Sequence, residues 1–223
     1  TDIVFAVNTN ITTDHSLIYG TVTVQGVVVT ITITNGGSFI ADNLYVTDKG
    51  DSAGDYDDDG GTLILTVDGN IDIRGTLGVD DHSTATITAG GSAYIADILV
   101  DNQSTLVLEV GGNLYNLVVG GVEPVTVDVL DGSSLTLTVG GSATIDTLTV
   151  TGTTEHGKST AELTIGTVSG DLNITDYILL DYGELTGSVT GNLTVGSAPM
   201  SSAALVSLAN NSLLDLGIHG GCT

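Results

Sequence analysis

The sequence predicts an all-β fold, a single parallel β-helix (β-solenoid) spanning residues 1–223. Three observations carry that reading. Segments of alternating apolar and polar residues recur at a spacing of about 21 residues, as in Thr84-Ala-Thr-Ile-Thr-Ala89 and Thr105-Leu-Val-Leu-Glu-Val110. A glycine, paired in four of seven copies, and a small polar residue follow the alternating runs, as in Gly140-Gly-Ser142 and Gly111-Gly-Asn113. No stretch sustains a period of 3.6, so nothing in the chain competes as an amphipathic helix.

The small polar residues give the count. Ser38, Asn70, Ser92, Asn113, Ser142, Asp171 and Asn192 follow one another at intervals of 32, 22, 21, 29, 29 and 21 residues. A base coil of about 21 residues with loop insertions near 48–61, 121–133 and 151–160 accounts for them. Before each anchor the inward positions repeat: Leu63, Leu65, Val67; Ala85, Ile87, Ala89; Leu106, Leu108, Val110; Leu135, Leu137, Val139. After it comes a second inward set, such as Ala93, Ile95, Ile98 and Val100. Alternation sends one set of side chains to one face of a strand, and the surrounding Val, Ile and Thr fit a pleated surface. One coil cannot bury such a face alone. Stacked coils can, each inward side chain contributing roughly 1.5–3 kcal/mol before chain entropy is subtracted. The glycine pairs sit where the chain bends, which requires positive φ or close backbone approach.

In chain order, residues 1–26 form an opening coil in which Ile3, Phe5 and Val7 alternate and Val22 and Val24 alternate again, with Phe5 covering the core end. Residues 27–47 are the first complete coil, with Ile31, Ile33, Leu44 and Val46 inward. Residues 48–61 are an exposed acidic insertion. Within it Asp55, Asp57, Asp59 and Gly60 match the first half of a D-x-D-x-D-G calcium loop, in which alternate carboxylates around a tight turn converge on one hard cation. The residue at the position of the bidentate Glu is Thr66, so the second half of that motif is missing. Calcium at Asp55, Asp57 and Asp59 is the metal site the sequence offers. In the 121–133 insertion, Val125, Val127 and Val129 alternate as an extra strand would. Residues 151–160 carry Glu155, His156 and Lys158. Ser201–Asn211 reads as a helical turn or a strand. His219-Gly-Gly-Cys222 repeats the glycine pair and places Cys222 at an anchor position.

Composition narrows function. The formal net charge is −24, from 27 acidic against 3 basic residues. Phosphate backbones need clustered Lys and Arg, so nucleic acid is not an expected partner. No run of about 18 apolar residues exists, so no membrane span is expected. With one cysteine no internal disulfide forms. The chain begins at Thr1 without Met, as a processed secreted chain or an excised fragment would, and sequons start at Asn10, Asn102, Asn173, Asn192 and Asn210.

For catalysis, the nearest carboxylate cluster is Asp80-Asp81-His82, placed at a turn between strands. Carbohydrate cleavage by β-helices needs two or three facing carboxylates or a base beside an acidic sugar, and Arg74, Lys49 and Lys158 are the whole basic supply. The chain is therefore not expected to be an enzyme, and His15, His82, His156 and His219 read as surface residues. Outward pairs Thr32/Thr34, Thr86/Thr88 and Thr136/Thr138 repeat at one offset, broken by Ile64 with Thr66 and by Val107 with Glu109.

The Val-Gly-Gly-Asn/Ser-aliphatic units, such as Val110-Gly-Gly-Asn-Leu114, resemble the repeats of secreted microbial surface filaments and adhesins built as parallel β-solenoids. Gly170-Asp-Leu-Asn-Ile174 with Gly191-Asn-Leu-Thr-Val195 also resembles bactofilins, polymer-forming β-helices. The resemblance implies an extracellular or cell-surface structural protein whose partner is itself, in a head-to-tail homopolymer. The alternatives are a β-helix that binds or processes surface glycans, and an ice-binding solenoid.

Overall fold

The computed structural model describes residues 1–49, 60–118, 121–166, 170–196 and 206–222. Two sheets face each other. One contains nine parallel strands: Thr9–Thr13, Val28–Ile33, Thr62–Val67, Thr84–Ala89, Thr105–Val110, Ser134–Val139, Ser159–Ile165, Gly183–Val189 and Leu213–Ile218. The opposite, fourteen-stranded sheet has as its backbone path Ile3–Phe5, Thr21–Gln25, Asn43–Thr47, Ile71–Val79, Ala93–Val100, Leu114–Val118, Ala143–Thr151, Leu172–Asp181 and Leu193–Val195. Along the chain each strand of the nine-stranded sheet but the last is followed by one or more strands of the other, so each coil crosses both, and no helix occurs among the described residues. The fold is a parallel β-solenoid. Nine strands on one face make it slightly longer than eight coils, roughly 40 Å at a strand spacing of about 4.8 Å.

The inward columns are those expected. Ile31, Leu65, Ile87, Leu108, Leu137 and Leu163 pair in succession as direct neighbours. Each is at most 1% exposed. The column then meets Gly187 and continues to Leu216. On the opposite sheet the strands bend: the register shifts between Ile95 and Asp97, and again between Ile145 and Thr147. The three-residue step from Ile95 to Ile98 marks this bulge, which lets both residues stay inward.

The glycine pairs 90–91, 111–112 and 140–141 work by close approach, whereas in the pair 36–37 Gly36 supplies a positive φ. Gly36 and Gly132 have φ of 74° and 79°, but the pairs 90–91, 111–112 and 140–141 do not leave the ordinary region. A Cβ on Gly140 would overlap the Gly111 carbonyl, and one on Gly141 would occupy the site of Asn113 Oδ1. The pair clears space for the coil beneath and for its anchor side chain.

Three expectations change and one open choice is resolved. Val7 is 70% exposed and lies outside Ile3–Phe5, so the opening alternation stops at Phe5. Val125–Leu130 is not an insertion: it pairs with Ala93–Val100 and Ala143–Thr151 and completes its own coil. The excursion there is the preceding antiparallel pair of strands, Leu114–Val118 with Gly121–Glu123. Val206–Ala209 is a strand, with 201–205 outside the described residues. Finally, Gly221 takes the anchor position, donating to Asn192 Oδ1 at 2.8 Å, while Cys222 bridges Leu193 one place further on.

Candidate functional surface

Two polar ladders hold the corners and explain which polar residues the repeat keeps. At the glycine corner each anchor side chain accepts the backbone N–H of the next anchor. Asn70 donates to Ser38 Oγ, Ser92 to Asn70 Oδ1, Asn113 to Ser92 Oγ, Ser142 to Asn113 Oδ1, Asp171 to Ser142 Oγ and Asn192 to Asp171 Oδ1, over 2.7–3.2 Å. At the other corner the sense reverses. Gly61 donates to Ser83 Oγ, Ser83 to Ser104 Oγ, Ser104 to Ser133 Oγ and Gly132 to Ser159 Oγ, over 3.0–3.1 Å. These four serines are the buried polar residues of the described chain, at most 1% exposed. Several turns leading to them use left-handed residues: Asp81 and His82, Asn102 and Gln103, Asp131 and Gly132. Asn, Asp and Gly tolerate that conformation best. The repeat pattern alone does not single out this second corner, although its signal is present: a serine lies at or just before the start of a strand at 83, 104, 133, 159 and 212.

Acidic residues gather beside the second ladder. Asp80 is half-buried, and burial pushes its carboxyl upward, with the neighbouring Asp81 charge adding to the effect. The Asn102 amide donates to Asp80 Oδ1 at 2.8 Å and to Asp81 Oδ1 at 3.1 Å. Asp80-Asp81-His82 thus forms a turn tied to the next coil. One coil pair further on, His156 Nδ1 lies 2.8 Å from Asp131 Oδ2, and the Thr153 hydroxyl donates to Asp131 Oδ1 at 3.1 Å. His156 is an exposed surface residue, and its contact with Asp131 fastens the 152–158 loop to the rod. Lys158 Nζ reaches Glu184 at 3.9 Å.

Asp55, Asp57 and Asp59 lie outside the described residues. Among the described residues no group of three His, Cys, Asp or Glu side chains is arranged to hold a metal ion. A shallow groove of about 190 Å³ runs between Thr136, Thr160, Glu162, Glu184 and Thr186. It is smaller than the ~300–1,000 Å³ usual for small-molecule sites. On the opposite sheet Tyr94 and Tyr115 are adjacent in register, with ring centroids 4.9 Å apart at 73°. A hydrogen bond with the Tyr94 side chain raises the Tyr115 pKa, and burial adds to it. Meeting edge to face, the rings do not form a continuous flat platform for a sugar.

The outer surface of the nine-stranded sheet is the most regular feature. Thr30, Ile64, Thr86, Val107, Thr136, Glu162 and Thr186 form one outward column. Thr12, Thr32, Thr66, Thr88, Glu109, Thr138, Thr164 and Ser188 form the next. Unlike the opposite sheet, these pairings contain no register shift. The side chains outward from its first five strands carry no charge until Glu109.

The architecture and its two ladders define this chain as a parallel β-solenoid. Comparison with family models, with curated proteins and with solved structures finds no match to it. No helix among the described residues is long and apolar enough to cross a membrane.

Proposed function

We propose that this protein is an extracellular structural subunit that assembles end to end, the last coil of one molecule stacking on the first coil of the next. The observation that carries the reading is the state of the final coil. Leu214, Leu216 and Ile218 sit in the inward columns and pack against the core, yet they stay only partly buried. Their neighbours one coil back, Leu185 and Val189, are fully covered. Leu208 and Leu213 nearby are 54% and 43% exposed. Leu213–Ile218 pairs on one side only, as does Thr9–Thr13 at the opposite end. A free parallel edge over uncovered apolar side chains is completed by a further coil, supplied either by a second molecule or by more of the same polypeptide. A contact between unlike ends does not close and so grows into a fibre. The extracellular setting rests on the resemblance to surface solenoids. Calcium at Asp55, Asp57 and Asp59, and surface glycans as additional partners, belong to the same proposal on sequence grounds.

Sedimentation and negative-stain microscopy over a concentration series test it. The full chain should form rods longer than one solenoid, and deleting residues 1–8 should stop growth while leaving the β-rich circular dichroism intact. A chain that stays monomeric at every concentration, with calcium present, sinks the reading.

A further inference from the structure

We infer that the charge-free half of the nine-stranded face is a binding surface for ice. This goes beyond the structural role proposed above and does not depend on it. The first observation is where charge is missing. In a chain of net charge −24, the outward positions of five consecutive strands, from Thr9–Thr13 to Thr105–Val110, hold Thr, Ile, Val and Asn up to Glu109. The same columns carry Glu162 and Asp215 further along. Such a surface avoids the strong hydration of carboxylates and suits a neutral partner.

The second observation is periodicity. Register runs unbroken through these five strands. Outward groups therefore repeat at about 4.8 Å between strands and at about 6.6 Å along them. In tetrahedral ice, waters bonded at about 2.8 Å to a shared third water lie about 4.6 Å apart. The mismatch of about 0.2 Å per strand accumulates to about 0.8 Å over four steps, small enough for a patch of this length. Threonine matches such a lattice well, since its χ1 is restricted, its hydroxyl both donates and accepts, and its methyl shapes the space between rows. Thr86 and Thr66 are exposed and stand near the centre.

Other occupants fit less well. The patch covers about 380 Å², four strand spacings by six residues, against about 800 Å² per partner in a stable dimer. It has no aromatic ring to stack on a crystalline polysaccharide.

Ice-affinity partitioning of the full chain tests the inference, with thermal hysteresis as a second readout. The protein should concentrate in slowly grown polycrystalline ice, whereas a control protein should be excluded. Thr86→Glu should abolish partitioning with the circular dichroism unchanged. Thr164→Glu, on the same face beyond Glu109, should keep it. If Thr86→Glu fails to fold, Thr86→Val with Thr88→Val serves instead and should weaken partitioning several-fold. Three results would each overturn the inference: exclusion of the native chain from ice, equal loss in Thr86→Glu and Thr164→Glu, or a native dimer that Thr86→Glu dissociates.

Discussion

Replacing Ser104 by alanine removes one oxygen from the centre of the buried serine ladder and alters little else. Ser104 Oγ accepts the Ser83 N–H at 3.0 Å, and both residues are 1% exposed. Alanine keeps the Cβ, and the Ser104 N–H would still reach Ser133 Oγ at 3.1 Å. The Ser83 N–H would then lose its acceptor where water does not reach it. An orphaned buried donor costs about 1–3 kcal/mol. Ser92→Ala is the internal control. It deletes the same atom from the other ladder, where Ser92 Oγ accepts the Asn113 N–H at 3.1 Å at an exposed position. Water can replace the oxygen there, so the loss is at most the ~0.5–1.5 kcal/mol net value of an ordinary hydrogen bond. Urea titration should show a lower midpoint for Ser104→Ala than for Ser92→Ala at unchanged slope. Amide exchange should show faster exchange at Ser83 in the first variant only. If the two substitutions cost the same, or if Ser83 keeps its protection, the buried ladder does not have the role assigned to it.

Four further outcomes are expected. Leu137→Ala, in the middle of a fully buried column, should cost about 2–5 kcal/mol in the same titration; a cost below ~1 kcal/mol would remove it from the core. Gly187→Ala should fold poorly, because Gly187 has φ of 144° and a Cβ there would overlap the Leu163 carbonyl, whereas Gly217→Ala has open space and should fold normally; circular dichroism compares them. Asp80 has a folded pKa above its ordinary 3.8, so its ionised form lowers stability at neutral pH and the penalty disappears below 3.8. Asp80→Asn should accordingly raise the melting temperature at neutral pH, with the gain shrinking as pH falls; an unchanged neutral-pH value counts against it. Calcium should raise the melting temperature of the native chain but not of Asp57→Ala, and calorimetry with and without chelator decides the matter.

The inward columns and the glycine corner were legible because side-chain alternation and coil stacking impose the same spacing on the sequence. Ile87, Leu108 and Leu137 could be aligned from their offsets alone. The serine corner was hidden by composition: Ser83, Ser104 and Ser133 stand among many Thr and Ser, and only their burial separates them. Val125, Val127 and Val129 revealed a strand but not its place, since alternation is identical in an inserted strand and in one belonging to a coil. Pairing with Ile98 and Leu148 settles which it is. The Asp131–His156 contact joins residues 25 apart through a loop closure, and no periodic signal marks that. The anchor register slipped by one residue at Cys222 because glycine can keep the N–H donor while lacking the ladder's side-chain acceptor.

The opposite polarity of the two ladders bears on how such a chain can change its length. Along one corner a coil lends its side chain to the coil that follows; along the other it lends its side chain to the coil before. Each unit therefore presents the same pair of unmet needs above and below, whatever its neighbours are. Excising residues 84–104 would join Ser83 to Thr105 and bring the anchors Asn70 and Asn113 into adjacent coils, with both ladders still continuous. Duplication of that segment would be tolerated for the same reason. The rod's length is thus open to genetic drift by whole coils, while drift by part of a coil would strand a donor at each corner and be selected against.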